Sequence, residues 1–342
     1  MKQPIPTAVL GATGAVGQRF LALLAHHPWF RIVSLHASRR RSGQAYRNEV
    51  RWLLPEGLPD RVARLPLRPI DEIPDQARLA FSALPAEVAG PVETAWAAAG
   101  RPVVSNAAAH RLDDDVPLIV PEINAEQLAW LDRPRAGPGF IVTNPNCSTA
   151  ILCLALAPLD RRFGLRQVIV STYQAASGAG YPGHPAVDLL GNVVPYIQRE
   201  EDKLAHEPIK ILGGRPTISP HCVRVPVQDG HLMTVSCRLE RPPDDLDQVA
   251  DAFTAFAPPD EVAVLPSAPQ PTLCYRSEPD RPQPRLDRDR GGGMAITIGR
   301  LRRCSVLDVA FVALGHNTLR GGAGGAVLLG ELLASQGRIP TD

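Results

Sequence analysis

Residues 7–17 read TAVLGATGAVG, a short apolar run that leads into the pattern G-x-x-G-x-x-G. The run is typical of a buried parallel strand, and a one-sided apolar pattern from Val16 to His26 predicts a helix directly after it. A second apolar run, Arg31–His36, completes a β-α-β unit. Glycines between strand and helix let the backbone approach a pyrophosphate, which the helix N-terminus attracts. The stretch predicts a dinucleotide-binding loop; an ordinary glycine turn is the alternative.

Strand-like runs and helical patterns continue to alternate through the first half of the chain, which predicts a doubly wound parallel sheet. The predicted strands are 79–82, 102–105, 118–120 and 140–143, with a helix over 88–99. Residues 134–139 have the composition of a surface loop. Beyond Ser148 the runs are longer and more often alternate, as in an antiparallel sheet with one exposed face. These runs are 167–172, 223–227, 232–239, 294–298 and 306–312.

The chain of 342 residues is long enough for two domains at roughly 100–200 residues each. We predict a Rossmann-type α/β domain over residues 1–145, joined by a C-terminal helix within 320–342. An α+β domain with a mostly antiparallel sheet is predicted over 146–319. Residues 241–290, rich in proline, aspartate and arginine, are expected to follow the surface.

Composition excludes several classes of protein. A net charge of +1 gives no electrostatic reason to expect nucleic acid or an anionic membrane as partner. No run approaches the ~18 apolar residues of a membrane span, and proline and glycine interrupt the apolar N-terminal run, unlike a signal peptide. The six cysteines are scattered without a C-x-x-C pair, so we predict neither a disulfide framework nor a metal site. A cytoplasmic location is the expectation.

The loop after the second predicted strand indicates the type of cofactor. It reads Ala-Ser-Arg-Arg-Arg-Ser over residues 37–42 and lacks the acidic residue that usually binds the ribose hydroxyls of NAD. Guanidinium groups and hydroxyls suit a 2′-phosphate instead. The loop therefore predicts NADP, although one or more of its three arginines could be merely solvated.

Cys147 differs from the other cysteines in its setting. It follows Asn144-Pro145-Asn146 and precedes a helical run, so it is predicted to stand at a helix N-terminus. The positive end of the helix dipole lowers the pKa of a thiol there and favours the nucleophilic thiolate. The remaining cysteines are interpreted as small apolar side chains; they are Cys153, Cys222, Cys237, Cys274 and Cys304.

Two further side chains are candidates for a site around such a nucleophile. His231 lies at a turn before a predicted strand and could act as a base, although a lone histidine is more often structural. Arg224 lies inside the apolar run 223–227, on the face opposite Val223 and Val225, where it could bind a carboxylate. The charged residues Glu200–Lys203 have, on composition alone, the character of an exposed helix face.

Along nearly its full length the chain resembles the aspartate-β-semialdehyde dehydrogenases, and its SGAGYPG and NVVPYI segments are most similar to the branch found in archaea and fungi. The motifs occur in the family's order. They are GATGAVGQ (11–18), SNAAAHR (105–111), VPLIVPEIN (116–124), NPNCST (144–149), STYQAASGAGYPG (171–183), NVVPYIQREEDK (192–203), RVPVQDGH (224–231) and HNTLRGGAG (316–324).

The resemblance implies a role for each matching residue. Cys147 corresponds to the nucleophile, Gln174 to the residue that orients the substrate, and His231 to the general acid/base. Arg224 and Glu200 correspond to the groups that bind the substrate carboxylate and ammonium. Lys203, Arg111 and Asn146 correspond to the phosphate-binding set. The positions implied for NADP contact are Gly11, Thr13, Gly14, Ala15, Val16, Ser38, Arg40, Ser42, Ser177, Gly178 and Asn317.

The implied activity is the reversible, NADP-dependent conversion of L-aspartyl-4-phosphate to L-aspartate-4-semialdehyde through a cysteine thioester, in aspartate-family amino-acid biosynthesis. A reductase of malonyl-CoA or succinyl-CoA shares the fold, cysteine and cofactor and remains an alternative. N-acetylglutamyl-phosphate reductase is a weaker alternative, because its acetylated nitrogen needs no glutamate. A non-catalytic NADP-binding relative is a third. The resemblance also implies a homo-oligomer, either a dimer through the second sheet or a tetramer.

Overall fold

The computed structural model describes residues 3–134, 137–214 and 216–340. Its first sheet has six strands, all parallel, in the order β3-β2-β1-β4-β5-β6. The strands are β1 Ile5–Leu10, β2 Phe30–Ala37, β3 Leu67–Pro69, β4 Leu79–Ser82, β5 Val103–Ser105 and β6 Ile141–Thr143. The accompanying helices are α1 Ala15–Leu24, α2 Tyr46–Glu49, α3 Asp60–Ala63, α4 Ala86–Ala98 and α5 Pro121–Asn124. The predicted doubly wound parallel sheet is confirmed.

Two details of this sheet differ from the sequence-based prediction. The run 118–120 does not form a strand: Leu118 makes one isolated bridge to Thr143, and Pro121 then begins α5. The short edge strand β3 was not predicted, because its run ends in Pro69 after only three residues. Within the predicted surface loop 134–139, residues 135 and 136 lie outside the described residues.

The second sheet also has six strands, in the order β10-β11-β12-β9-β7-β8. Its strands are β7 Leu165–Gln174, β8 Thr217–Arg224, β9 His231–Leu239, β10 Leu273–Arg276, β11 Ile296–Arg303 and β12 Val309–Gly315. The helices that follow α5 in the chain are α6 Cys147–Phe163, α7 Ala186–Leu189, α8 Glu200–Leu212, α9 Asp247–Thr254, α10 Asp260–Ala263, α11 Pro284–Asp287 and α12 Gly324–Ser335. The three central pairings are antiparallel and the two outer ones are parallel, which confirms a mostly antiparallel sheet.

Two predictions for this half are wrong. The run 223–227 is predicted as a strand, but β8 ends at Arg224. Val225 N–H makes the last bond of the parallel ladder, to Gln174 O; Pro226 then has no N–H to donate, and Val227 N–H donates to Val225 O in a tight turn. The segment 241–290 does not only follow the surface: it contains α9, α10, β10 and α11. Val249, Phe253 and Val262 are fully buried, because apolar residues at helical spacing outweigh the loop-forming composition around them.

Helix α12 packs in the core of the first sheet, where Leu328 and Leu329 lie with Phe20 and Phe30. This packing supports the division into 1–145 with 320–342 and 146–319, which stays our proposal for the domains. No helix of the described residues is long and apolar enough to cross a bilayer.

Candidate active site

The glycine loop between β1 and α1 has the shape that a pyrophosphate needs. Gly11 adopts φ +73°, and a Cβ added to it would lie 2.6 Å from Ala83 O, so packing alone requires glycine there. Gly14, the N-cap of α1, is different: an added Cβ would meet nothing closer than Gly11 O at 3.6 Å. Within the described protein no atom requires glycine at 14, and its bare backbone leaves room for a bound group to approach the helix N-terminus. This loop fits a dinucleotide.

The basic loop after β2 forms a short 3₁₀ turn, Arg39–Arg41. Arg39 pairs with Asp71, and Arg41 Nη1 donates to Glu49 O at 3.3 Å. Arg40 is exposed and makes no hydrogen bond or ion pair to the described residues. Among the three arginines, Arg40 is therefore the one whose guanidinium is available to a 2′-phosphate. Ser38 is exposed beside it, and Ser42 Oγ donates to Arg39 O.

Cys147 begins α6, as predicted. Asn146 caps the helix, its Oδ1 accepting from the N–H groups of Ser148 (2.9 Å) and Thr149 (3.4 Å). The Cys147 Sγ lies 3.3 Å from Nε2 of His231. The cap fixes the helix end, so the first turn of α6 holds the sulfur at hydrogen-bonding distance from the imidazole.

The sheet explains why His231 is here. Gln174 and Arg224 are paired at the carboxyl ends of the parallel strands β7 and β8, and His231 begins the antiparallel strand β9 at the same edge. Ala175 N–H donates to His231 Nδ1 at 3.0 Å. Since a backbone N–H can only donate, the neutral ring carries its proton on Nε2, which faces the sulfur. Burial, with Arg224 and His316 nearby, holds the pKa of His231 well below its usual value, so the ring is neutral at physiological pH.

The pKa of Cys147 differs from the sequence-based expectation. Burial, reinforced by the negative charge of Glu200, raises it to about 12, and the positive charges of Arg224, Lys203 and Arg111 offset only part of this. Part of the cysteine still faces the cleft, so solvent there moderates the penalty of burial. The helix dipole alone therefore does not keep Cys147 ionised in the free enzyme. The fraction of thiolate depends on burial and on the surrounding charges.

This arrangement predicts the pH dependence of Cys147 alkylation. Because a raised pKa leaves little thiolate at neutral pH, the rate with iodoacetamide should rise about tenfold per pH unit and show no plateau below pH ~9. The assay belongs in a Cys304→Ser background, since the backbone N–H of Leu307 donates to Cys304 Sγ and lowers the pKa of that half-buried thiol. Peptide mass spectrometry follows the labelling of Cys147; a plateau near pH 7 would contradict the raised pKa.

Glu200 joins several of the predicted residues. It is the first residue of α8 and is buried, contrary to the exposed helix face that composition indicates. Its carboxylate accepts from Asn146 Nδ2 (3.0 and 3.1 Å) and Gln174 Nε2 (3.2 Å), and from Lys203 Nζ (2.7 Å). The first turn of a helix favours a carboxylate. The interior position follows because α8 packs on α6 rather than presenting this end to water.

Arg224 lies under the same cleft, only 3% exposed. Its Nη1 donates to Ala175 O at 2.8 Å and lies 3.5 Å from Gln174 Oε1. Its Nε is buried and has no hydrogen-bond partner among the described residues. An unpaired buried guanidinium N–H is costly, so this donor fits an incoming anion such as a carboxylate.

Arg111 is near the site but is largely engaged by the protein. Its Nη1 donates to Glu207 (2.9 Å), its Nε to Asn144 O (3.1 Å) and its Nη2 to Asn106 O (2.6 Å). Glu207 also accepts from Asn146 N–H at 2.7 Å. Sequence reasoning missed Glu207, because nothing distinguishes it from other glutamates on α8. Two of the five N–H groups of Arg111 remain for a phosphate, and that role stays a prediction.

A cleft of about 610 Å³ lies between the predicted cofactor contacts of the first half and those of the second. Ala15, Ser177 and His316 are among the residues that line it.

Asn317 makes hydrogen bonds to two loops beside this cleft. Its Nδ2 donates to Ser177 Oγ (2.8 Å), and its Oδ1 accepts from Gly230 N–H (2.8 Å). Gly178 lies directly against the Arg224 and His231 side chains. Thr13 lies in the glycine loop, and Val16 lies in the first turn of α1. No cluster of potential metal ligands occurs in the described part of the chain.

Comparison with known proteins matches both halves of the chain to the semialdehyde dehydrogenases. Residues 6–131 match the semialdehyde dehydrogenase NAD binding domain, and residues 156–320 match the semialdehyde dehydrogenase dimerisation domain. The aspartate-semialdehyde dehydrogenase of Archaeoglobus fulgidus is 46% identical over 96% of this chain and 97% of its own. The chain belongs to the aspartate-semialdehyde dehydrogenase family.

Other aspartate-semialdehyde dehydrogenases are similar over a comparable length. That of Cryptococcus neoformans is 42% identical over 98% of both chains. The crystal structure of the Candida albicans enzyme with NADP superimposes with a TM-score of 0.90 at 38% identity, covering 97% of this chain and 99% of that one. The predicted resemblance to the archaeal and fungal aspartate-semialdehyde dehydrogenases is confirmed.

Proposed function

We propose that the protein catalyses the reversible, NADP-dependent conversion of L-aspartyl-4-phosphate to L-aspartate-4-semialdehyde through a thioester on Cys147. The observation that carries this proposal is the convergence on one cleft of a nucleophile, a buried guanidinium with a free N–H and a buried carboxylate. Arg224 and Glu200 supply the opposite charges that an α-amino acid presents. The activity of the relatives supports the same reaction.

The cofactor site fits NADP. Gly11, Gly14 and the first turn of α1 would bind the pyrophosphate, and Ser38, Arg40 and Ser42 would bind the 2′-phosphate. Ser177, Gly178 and Asn317 would hold the end nearer Cys147. When bound, NADP supplies the hydride acceptor or donor for the substrate carbon.

The residues around Cys147 have distinct tasks in this proposal. The thiolate attacks C4 of the substrate, and Gln174 orients that carbon beside the sulfur. His231 donates its Nε2–H to the sulfur in the resting pair and exchanges a proton with the substrate oxygen during turnover. Because Glu200 raises the pKa of Cys147, a substrate ammonium that neutralises Glu200 favours the thiolate at the moment the substrate is in place.

The phosphate is assigned to Lys203, Asn146 and Arg111. Lys203 Nζ is partly exposed and donates to Glu200, so it has N–H groups free for a second anion. In the oxidative direction phosphate attacks the Cys147 thioester, the C–S bond breaks, and the acyl phosphate and thiolate are released. In the biosynthetic direction the thiolate displaces the phosphate.

The substrate is tested by comparison with the acyl-CoA alternative. Reduction of NADP is measured with L-aspartate semialdehyde plus phosphate, and oxidation of NADPH is measured with malonyl-CoA or succinyl-CoA. The proposal expects a kcat/KM at least about 10²-fold higher for the amino-acid substrate, since that substrate alone pairs both buried charges. Preference for an acyl-CoA would overturn it.

The role of His231 is tested by His231→Gln, which keeps an N–H donor near the sulfur but cannot exchange protons. We expect kcat to fall by about 10²–10⁴-fold, the usual contribution of general acid–base catalysis. His27→Gln is the matched control, because His27 bonds to Glu331 and not to a residue of the site. If His231→Gln retains most of the wild-type rate, the histidine acts only as a hydrogen-bond donor.

The assembly is proposed to be a homo-oligomer, as the match to a dimerisation domain indicates. On the second half of the chain, exposed apolar side chains include Ile169 and Tyr173 on β7 and Val187 and Leu190 at α7. We propose the face of β7 that carries Ile169 and Tyr173 as the interface of a dimer; a tetramer would need a second interface. A cytoplasmic location is proposed from the biosynthetic relatives and the six unpaired cysteines.

A further inference from the structure

A helical turn, Leu319–Ala323, that is kinked at Gly322 lies directly against the N-terminus of α6. A Cβ added to Gly321 would lie 2.6 Å from Cys147 Cβ and 2.7 Å from its Cα, well inside the 3.0 Å that real Cβ atoms keep. The backbone of this turn therefore packs directly against Cys147, and only glycine fits at position 321.

Behind Gly321 the turn is fastened by a buried ion pair. Arg320 is 1% exposed; its Nε donates to Met294 O at 2.7 Å, and its Nη2 lies 2.6 Å from Glu122 Oε1. Glu122 belongs to α5, which packs on α6. A buried ion pair is often no more stabilising than apolar residues of the same volume. Its presence here is better explained by the position it gives the turn.

We propose that Gly321, fastened by the Arg320–Glu122 ion pair, is a positioning residue that fixes Cys147 at its distance from His231. The turn presses on Cys147 Cα and Cβ, and the Sγ–Nε2 distance of 3.3 Å depends on where those two atoms lie. This inference rests on the proposed function only in taking Cys147 as the nucleophile. It does not depend on which acyl group the enzyme accepts.

The test compares Gly321→Ala with Gly330→Ala. A Cβ at Gly330 on α12 would lie 2.7 Å from Phe81 Cζ, an overlap of similar size in the core of the first sheet. For Gly321→Ala we expect kcat to fall about 10²-fold with KM changed less than about threefold, as for a misplacement of about 1 Å. Gly330→Ala should lower Tm while kcat stays near wild type.

A second readout needs no substrate. In the Cys304→Ser background, alkylation of Cys147 by iodoacetamide should slow about tenfold in Gly321→Ala, since a sulfur moved away from His231 loses the Nε2–H hydrogen bond that stabilises its thiolate, and stay unchanged in Gly330→Ala. An unchanged alkylation rate and kcat in Gly321→Ala, or equal losses in both variants, would overturn the proposal. If the substrate assignment is wrong, the alkylation result still stands, so the two failures are distinguishable.

Glu122→Gln tests the ion pair and decides the question if Gly321→Ala does not fold. Its control is Glu331→Gln on α12, where another buried carboxylate accepts from Ser267 and lies 2.7 Å from His27 Nε2. We expect slower Cys147 alkylation and a lower kcat at unchanged KM in Glu122→Gln only. Equal effects in the two glutamine variants would show a merely structural pair.

Discussion

Replacing Cys147 with alanine is expected to lower kcat by more than about 10⁴-fold, because without the sulfur no covalent intermediate forms. The variant should keep its Tm and its affinity for NADP, since the cofactor contacts come from the glycine loop, the basic loop and Asn317. Steady-state rates and calorimetric titration with NADP measure both quantities. The matched control is Cys274→Ala, which removes a half-buried thiol on β10.

Two outcomes of that experiment would count against the account. A Cys147→Ala enzyme with a substantial fraction of wild-type activity would exclude covalent catalysis by this residue. Loss of NADP affinity together with activity would mean that Cys147 supports the cofactor site rather than the chemistry.

The second large effect is expected at Arg224. Arg224→Met keeps much of the side-chain volume and removes the buried charge, so the substrate carboxylate loses its partner and becomes a buried, unpaired anion. Truncating one side of such a pair costs about 2–5 kcal/mol, so kcat/KM for L-aspartate semialdehyde should fall by about 30- to 5,000-fold.

Arg238→Met is the matched control for this substitution, because Arg238 lies on β9 of the same sheet and donates to the backbone carbonyl of Val306. It should leave kcat/KM near wild type. An Arg224→Met enzyme with unchanged kcat/KM would mean that the carboxylate binds elsewhere. A loss confined to Tm would show that the arginine only ties β8 to Ala175.

The sequence predicts the first sheet well because its signals are local. The run before Gly11 and the alternation of apolar runs with helical patterns determine strand and helix independently of distant contacts. One failure is local: Val225 continues an apolar run, but Pro226 after it has no N–H for the ladder, so the strand ends at Arg224. In the other, distant contacts decide the outcome. The segment 241–290 has the composition of a loop, yet Phe253 and Val262 reach the cores.

The candidate site divides in the same way. The local sequence predicts that Cys147 begins a helix, that residues 37–42 form a basic loop, and that Arg224 faces inward. It does not predict the raised pKa of Cys147, because that pKa depends on burial and on Glu200, which lies 53 positions away in the chain. The same is true of Glu207 and Gly321, whose importance comes only from what they contact.

The central claim is that the substrate becomes an acyl group on Cys147 and leaves as an acyl phosphate. Its most direct test is mass spectrometry of the enzyme mixed with L-aspartate semialdehyde and NADP without phosphate. We predict one aspartyl group added at the Cys147 peptide, removed when phosphate is supplied. An adduct on another residue, or none while turnover proceeds, would contradict the account.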